Sequence, residues 1–293
     1  MKKKILIVGG VAGGASAATR LRRLSEEDEI IMFEKGPHVS FSNCTLPYYL
    51  SGVIDEADKL VLMSPEKFMV QYKIEARVNN EVLSINKEEK YVSVKNLLTG
   101  EIYKETYDKL ILSPGAKPIV PNISGIEEVN VFTIRNVVDI DKLNRYVKSM
   151  DIKDIAVIGG GYIGVEAAEN LRKAGYNVAL IEATDQILRP FDYDMVQIFH
   201  KEMYDHQINL IVGDKVESFE KDKVILASGK KINAKVVVMA IGVAPETFLA
   251  KEAGLEIGET GAIKVDKNYL KNQKIEGNYF DVSKFEVSVN RCF

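Results

Sequence analysis

The fold is decided by a stretch that occurs twice, as Ile5-Leu6-Ile7-Val8-Gly9-Gly10-Val11-Ala12-Gly13-Gly14 and as Ile155-Ala156-Val157-Ile158-Gly159-Gly160-Gly161-Tyr162-Ile163-Gly164. Each copy reads as a short apolar strand that enters a glycine turn, followed by a helix of small and apolar residues. A second apolar strand then ends in an acid, Glu34 in the first copy and Glu182 in the second. This order predicts two tandem dinucleotide-binding units of the α/β class.

The glycines have separate roles in such a unit. The first allows a tight turn, the second lets the backbone approach a pyrophosphate, and the third lets helix and strand pack closely. The second copy has all three, at Gly159, Gly161 and Gly164, whereas the first copy has Val11 in the middle position. The acids follow the first glycine by 25 and 23 residues, near the spacing of about 20 expected of a carboxylate that binds a ribose.

The repeat continues beyond the glycine turns. Residues 81–107 and 214–233 both alternate in polarity between hairpin turns, which predicts antiparallel strands. Each copy then closes on a buried strand that runs into a turn, at Ser113-Pro114-Gly115 in the first and at Gly242 in the second. We therefore expect two three-layer units.

Composition excludes several classes of protein. The 293 residues include 39 Lys and Arg against 42 Asp and Glu, for a formal net charge of −3 without a basic run. This balance favours neither a nucleic-acid partner nor a membrane anchor. The two cysteines, Cys44 and Cys292, lack metal-ligand spacing, so we expect no metal site and no disulfide framework. The N-terminus reads as a strand entering a turn, not as a signal peptide, which predicts a cytoplasmic protein.

Cys44 lies in the stretch Ser40-Phe41-Ser42-Asn43-Cys44-Thr45-Leu46-Pro47-Tyr48-Tyr49. Proline suits the first turn of a helix, so Pro47 predicts that Cys44 lies at a helix N-terminus, where a thiolate is favoured. The alternative is a buried, unreactive cysteine.

With these motifs together, the sequence resembles the flavin-dependent pyridine nucleotide-disulfide oxidoreductases. The stretch from Ser42 to Tyr49 is most similar to the single-cysteine branch, the coenzyme A-disulfide reductases and their persulfide or polysulfide reductase relatives. The resemblance runs from about Lys4 to Val265. It implies that the first unit binds FAD, that the second binds a nicotinamide cofactor, and that Cys44 is the redox-active residue. Electrons would pass from NAD(P)H through FAD to Cys44, which reduces a small-molecule disulfide such as CoA disulfide.

The resemblance also implies domain ranges and site residues. The FAD domain covers 1–115 and resumes at 246–293, where the end is truncated or divergent, and the NAD(P)H domain is inserted at 116–245. The family pattern places helix and loop side chains against coenzyme A, although a solvated helix face is the alternative for the arginines. The predicted substrate-binding residues are Ser16, Arg20, Arg23, Ser40 and Asn43. The predicted cofactor-binding residues are Gly9, Val11, Ala12, Gly13, Gly14, Glu34, Lys35, Ser113, Pro114, Gly115, Gly159, Gly161, Tyr162, Ile163, Gly164, Glu182 and Gly242.

Glu182 also predicts which nicotinamide cofactor is used. Its carboxylate would repel a 2′-phosphate, and the following residues Ala183, Thr184 and Asp185 offer no cation to bind one. We therefore expect NADH to be preferred over NADPH.

The chain departs from the family pattern after Leu270. We expect no apolar strand before Asp281, where the family has a second flavin motif, and no C-terminal interface domain of the kind that makes the family homodimeric. Two alternatives for the function stay open. One is an NADH oxidase or peroxidase of the same branch, in which Cys44 cycles through a sulfenic acid. The other is a catalytically idle, truncated nucleotide-binding protein.

Overall fold

The structure is a computed structural model, and it describes residues 2–265 together with the backbone of 279–281. Packing divides the chain into two units. The first unit takes Met1–Ser42, Val61–Lys117 and the chain from Ala244 onward, and the second takes Asn43–Leu60 and Pro118–Val243. Within the described residues the longest helices have 13 residues, and none is long and apolar enough to cross a membrane.

Strands and helices alternate along much of the chain. The strands are β1 Lys4–Val8, β2 Glu29–Glu34, β3 Ile74–Val78, β4 Asn80–Asn86, β5 Tyr91–Asn96, β6 Ile102–Thr106, β7 Lys109–Leu112, β8 Ala116–Pro118, β9 Asn130–Phe132, β10 Asp154–Ile158, β11 Asn177–Ile181, β12 Asn209–Ile211, β13 Val216–Glu220, β14 Lys223–Leu226, β15 Lys231–Asn233, β16 Val236–Met239, β17 Val243–Pro245 and β18 Tyr279–Asp281. The α-helices are α1 Ala12–Leu24, α2 Leu46–Leu50, α3 Pro65–Tyr72, α4 Val137–Ser149, α5 Tyr162–Lys173, α6 Tyr193–Asp205 and α7 Phe248–Glu252.

The first unit is built on a parallel sheet in the order β18-β7-β1-β2-β3. Side chains alternate across this sheet because successive residues of a strand point to opposite faces. Ile5 and Ile7 of β1 pack in one core with Ala18 of α1, whereas Leu6 and Val8 pack in another with the antiparallel strands β4 to β6. The sheet therefore forms the middle of three layers.

The second unit repeats this plan. Its parallel sheet has the order β12-β11-β10-β16-β9, and β13 to β15 form the antiparallel meander. Ala156 and Ile158 of β10 pack with Phe219, Val224 and the other apolar side chains of the meander. The predicted α/β class and both predicted sets of hairpin strands are confirmed. The assignment of FAD to 1–115 and 246–293, and of NAD(P)H to 116–245, stays a prediction.

One expectation about the end of the chain was wrong. We expected no strand before Asp281, but the backbone of Tyr279–Asp281 forms β18, which pairs in parallel with Leu110, Ile111 and Leu112 of β7. The strand forms because it pairs with the edge of an existing sheet, and the residue pattern of a three-residue segment does not reveal such a partner. The predicted roles of Cys292 and of residues 266–278 lie outside the described residues.

Candidate functional site

The first glycine turn is fixed by close backbone contacts. Gly9 has a φ of +99°, and a Cβ there would lie 1.8 Å from the carbonyl oxygen of Ser113 at the end of β7. A Cβ on Gly14 would lie 1.8 Å from the carbonyl oxygen of Gly9. Both positions therefore exclude any side chain, which lets β1, β7 and α1 approach closely at the turn.

The acid of the first unit is held at this turn. One carboxylate oxygen of Glu34 accepts a hydrogen bond of 2.9 Å from the backbone N–H of Gly10, and the other accepts one of 2.8 Å from Gly36. The side chain of Glu34 is half-buried. The carboxylate predicted to bind a ribose thus lies beside the glycine turn that is predicted to bind the pyrophosphate.

The second unit reproduces the arrangement. Gly159 has a φ of +109°, and a Cβ on Gly164 would lie 1.9 Å from the carbonyl oxygen of Gly159. The carboxylate of Glu182 accepts 2.6 Å from the N–H of Gly160, and its other oxygen accepts 2.8 Å from both the N–H and the hydroxyl of Thr184.

Gly161 differs from Gly9, Gly14, Gly159 and Gly164, because no contact within residues 2–265 requires glycine there. Its φ of −75° suits any residue, and nothing lies within 4 Å of where its Cβ would stand. The N-termini of α1 and α5, both within the described residues, have no side-chain cap and no acid in their first turns. Free N–H groups and an open glycine at a helix N-terminus fit a phosphate-bearing dinucleotide. Val11 occupies the corresponding place before α1.

The repeat includes a further element that the sequence pattern did not predict. Ser40 and Leu188, each six residues after its acid, have positive φ values of +47° and +49°. Their N–H groups donate to the carbonyl oxygens of Gly10 and Gly160, at 2.8 and 2.7 Å. Each unit therefore closes a loop from the acid back to the glycine turn. The equal spacing from the acid was a signal in the sequence, but left-handed backbone at residues other than glycine is not predictable from residue type.

The remaining predicted cofactor residues lie near the turns of their own units. Ser113 is buried and donates its N–H to the carbonyl of Val8, and Gly115 accepts from Glu246. The side chain of Tyr162 at the start of α5 makes an edge contact with Phe191. Exposure ranges widely in this set: Ala12, Lys35 and Gly242 are exposed, Pro114 and Ile163 are half-buried, and Gly13 is buried. Their contacts with a cofactor stay predictions.

Cys44 is an exposed free cysteine. It lies in a single 3-10 turn, Asn43–Thr45, that leads directly into α2, with Pro47 in the first turn of that helix. The predicted position of Cys44 before a helix is therefore confirmed, although the helix has only five residues. The alternative of a buried cysteine is wrong, because Cys44 is exposed.

The segment 43–60 that carries Cys44 is attached at both ends in a defined way. Phe41 and Val61 form an antiparallel bridge in the first unit, and the N–H of Leu62 donates 2.8 Å to the carbonyl of Ser40. The segment itself packs within the second unit. There the hydroxyl of Tyr49 donates to Asp141 of α4 at 3.2 Å, and that of Ser51 donates to Asn170 of α5 at 2.7 Å.

Comparison of the two copies shows that this segment is an insertion. The residue with positive φ precedes the next long helix by 25 residues in the first copy, from Ser40 to Pro65 of α3. The corresponding interval in the second copy, from Leu188 to Tyr193 of α6, is five residues. Cys44 was therefore found by its local motif, whereas the status of its segment as an insertion becomes clear only when α3 and α6 are seen to be equivalent.

Four of the five predicted substrate residues are exposed, and the fifth, Ser40, is half-buried. Ser16, Arg20 and Arg23 share one face of α1 at helical spacing and are exposed, as is Asn43. Arg22 on the same helix is instead structural, because its guanidinium donates to five backbone carbonyls: those of Ser25, Glu26, Asp28, Tyr72 and Lys73. The exposed arginines are available to phosphates, and their contact with substrate stays a prediction.

The histidines also differ in environment. His200 of α6 is buried, and burial lowers the pKa of its imidazole. Its Nε2 accepts a hydrogen bond of 3.3 Å from the N–H of Ile187. His206 lies at the exposed C-terminal end of the same helix. Across residues 2–265, no group of three or more His, Cys, Asp or Glu side chains is arranged to hold a metal ion.

Two parallel-sheet units, each with a glycine turn at a helix N-terminus and a carboxylate fixed beside it, define a protein with two dinucleotide-binding folds in one chain. The chain belongs to the pyridine nucleotide-disulphide oxidoreductase family, whose profile matches residues 3–275. The resemblance seen in the sequence is confirmed, and the match continues past the expected limit at Val265.

Several individual members of the family are similar to this chain. A coenzyme A disulfide reductase of Staphylococcus aureus strain JH9 is 35% identical over 269 residues, which cover 92% of this chain and 61% of the relative. Among solved structures, reduced Bacillus anthracis CoADR-RHD is 48% identical, with a TM-score of 0.92 over 96% of this chain and 50% of that one. A NAD-dependent persulfide reductase from A. fulgidus is 30% identical, with a TM-score of 0.89 over 94% and 52%. The chain thus spans half to three-fifths of these relatives.

Proposed function

We propose that the chain carries out the electron transfer of a flavin-dependent NADH:disulfide oxidoreductase, with Cys44 as the thiol that reacts with coenzyme A disulfide or a related disulfide or persulfide. The observation that carries this proposal is the exposed Cys44, set in an insertion of a duplicated dinucleotide-binding fold. The names of the relatives support the same substrate class.

In this proposal each unit binds one cofactor. The first unit holds FAD through the turn at Gly9 to Gly14 and the carboxylate of Glu34, and the second holds NADH through Gly159, Gly161 and Glu182. Support comes from the open helix N-termini and from the carboxylates, whose position beside the turns suits a ribose diol. When bound, a flavin relays two electrons from a nicotinamide to a sulfur acceptor.

Cys44 performs the sulfur chemistry. Its thiolate attacks one sulfur of the substrate disulfide, which breaks the S–S bond, releases one half as a thiolate and leaves the other half in a mixed disulfide with Cys44. Two electrons that originate in NADH then cleave the mixed disulfide. A proton completes the second thiol product, and the Cys44 thiolate is regenerated. One enzyme cysteine suffices because the substrate supplies the other sulfur.

Exposed polar side chains near the start of the first unit would bind the substrate. Arg20 and Arg23 present guanidinium groups on one face of α1, together with Ser16. Such groups recognise the phosphates of coenzyme A through permanent charge and paired donors. Ser40 and Asn43 flank the cysteine in sequence. We expect Arg23→Ala to raise the KM for CoA disulfide and to leave NADH oxidation by a small artificial acceptor unchanged.

The two cysteines provide a matched experiment. The full-length protein is loaded with FAD, reduced anaerobically with NADH, and given CoA disulfide while released CoA thiol is counted. We expect about two thiols per NADH, one from each half of the disulfide. Cys44→Ser should abolish thiol release, whereas Cys292→Ser should retain it. Loss of activity in both variants, or retention in both, would contradict the role of Cys44.

The products distinguish the alternatives. NADH consumption that requires oxygen or peroxide and yields water, with no release of CoA thiol, would favour an oxidase or peroxidase. A protein that binds NADH but takes up no FAD would be an idle nucleotide-binding chain.

The preference for NADH is part of the proposal. The Glu182 carboxylate is fixed at the second turn, where it would repel the 2′-phosphate of NADPH. We expect a higher kcat/KM with NADH, and a clear preference for NADPH would overturn this assignment.

A further inference from the structure

His200 lies outside every predicted site, yet it is among the most buried polar residues of the second unit. Only 6% of its surface is exposed, and its Nε2 accepts from the N–H of Ile187. An imidazole nitrogen accepts a hydrogen bond only when that nitrogen carries no proton. Burial, which disfavours the charged form, keeps His200 in the neutral state that this bond requires.

Ile187 connects His200 to the second glycine turn. Its side chain is fully buried, and its Cγ2 lies 2.7 Å from the position that a Cβ on Gly160 would take. The next residue, Leu188, donates its N–H to the carbonyl of Gly160, and the N–H of Gly160 donates to the Glu182 carboxylate. A continuous series of contacts therefore leads from His200 through Ile187 and Gly160 to Glu182, the acid that is predicted to bind a ribose.

We propose that His200 is a positioning residue for the nicotinamide-nucleotide site: it anchors residues 182–188 and so holds Glu182 and the glycine turn in the arrangement that receives the ribose and the pyrophosphate. This inference rests on the proposed function, in which the second unit binds NADH. His200 itself touches no reacting atom.

The hydrogen bond matters because its donor is buried. Without an acceptor, the N–H of Ile187 would be left unsatisfied in the interior, and the loop would relax to find a partner. Ile187 packs against Gly160, and the N–H of Gly160 donates to Glu182. A movement of Ile187 would therefore displace Gly160 and weaken its hydrogen bond to Glu182. We therefore expect a loss in NADH affinity of about tenfold when the acceptor is removed.

Three variants of the full-length protein test this inference. His200→Leu keeps an apolar side chain in the core but removes the acceptor. His200→Gln restores an acceptor near the position of Nε2. His206→Leu removes the exposed histidine six residues further along the chain and serves as the control. The readouts are the Kd for NADH from quenching of nucleotide fluorescence, the KM and kcat with an artificial acceptor, and the thermal unfolding midpoint.

We expect His200→Leu to raise the Kd and KM for NADH about tenfold, with kcat at saturating NADH within about twofold of the wild type. His200→Gln should recover most of the affinity, and His206→Leu should bind NADH normally. A His200→Leu protein that binds NADH as the wild type does would overturn the inference alone. The inference would also be overturned if His200→Leu and His200→Gln had equally lowered unfolding midpoints and equally lowered kcat values, because the effect would then be a general loss of stability. A wild-type protein without NADH binding would overturn the proposed function as well.

Discussion

At the scale of single residues, Gly161 and Gly164 show that two glycines of one turn exist for different reasons. Gly164 is required inside the protein, since a Cβ there would lie 1.9 Å from the carbonyl oxygen of Gly159. Gly161 is not, because no residue that the structure describes lies within 4 Å of the place of its Cβ. The open space at Gly161 supports the proposed approach of a dinucleotide to this turn.

This difference predicts opposite effects of substitution. Gly161→Val should raise the Kd for NADH at least about tenfold and leave the unfolding midpoint unchanged, because the added side chain would occupy only the space proposed for the nucleotide. Gly164→Ala should lower the free energy of unfolding by about 3 kcal/mol, because the methyl group collides with backbone. Fluorescence titration with NADH and urea denaturation measure the two effects. A destabilised Gly161→Val protein with normal affinity would contradict this account.

The part of the candidate site that could be predicted from the sequence is the part that requires particular residue types. The glycines and the acids were found because their roles impose residue type and spacing. Ser40, Leu188 and Arg22 were missed as structural residues, because backbone geometry and carbonyl capping place no strict demand on residue type. His200 was assigned no role because burial of a helix face depends on the elements packed against it.

At the scale of elements, the end of α1 depends on one side chain. The guanidinium of Arg22 donates to carbonyls of the chain after α1, at Ser25, Glu26 and Asp28, and to those of Tyr72 and Lys73 at the end of α3. Arg22 therefore links the C-terminal ends of α1 and α3 by donating to carbonyl groups that have no partner within the helices.

Arg22→Ala should accordingly reduce the free energy of unfolding by about 2 kcal/mol, since several carbonyls lose a charged donor. Arg23→Ala, one residue away and exposed, should change it by less than about 0.5 kcal/mol. Chemical denaturation of both variants at neutral pH makes the comparison. Equal effects of the two substitutions would show that the carbonyl contacts of Arg22 do not stabilise the fold.

At the scale of the whole molecule, the sequence pattern predicted the two parallel sheets and their meanders because strand alternation, glycine turns and hairpins are local signals. It missed β18, which depends on a partner strand far away in the chain. Nor did it predict that residues 43–60 pack with the second unit, since side-chain contacts such as that of Ser51 with Asn170 join residues distant in sequence.

We expect the acid stability of the first unit to depend on Glu105 of β6, which bonds Lys4 of β1 and Arg77 of β3. Burial raises the pKa of this carboxyl, but hydrogen bonds from Lys4 and Arg77 outweigh it, and the pKa lies below its ordinary value of 4.5. A carboxyl with a lowered pKa in the folded state stabilises the protein above its ordinary pKa. That contribution is lost as the pH falls through the folded-state value.

Glu105→Gln should therefore make the protein less stable at pH 7 and flatten the loss of stability below about pH 4.5. Glu101→Gln, at an exposed position just before β6, is the control and should follow the wild type. Urea unfolding midpoints between pH 3 and pH 7 give both curves. Parallel curves for Glu105→Gln and the wild type would mean that this carboxyl does not govern acid unfolding.

The bridge between Phe41 and Val61 has a consequence for how this chain can be re-engineered. Because the two ends of the inserted segment meet as hydrogen-bonded neighbours, a short turn can join them and delete the thiol without changing the pairing of β1, β2 and β3. The same junction can accept a different peptide, since loop length adds little entropic cost once its ends are fixed. In the proposed function, we therefore expect the thiol and its sulfur chemistry to be removable while both glycine turns and the proposed substrate residues of α1 remain in place.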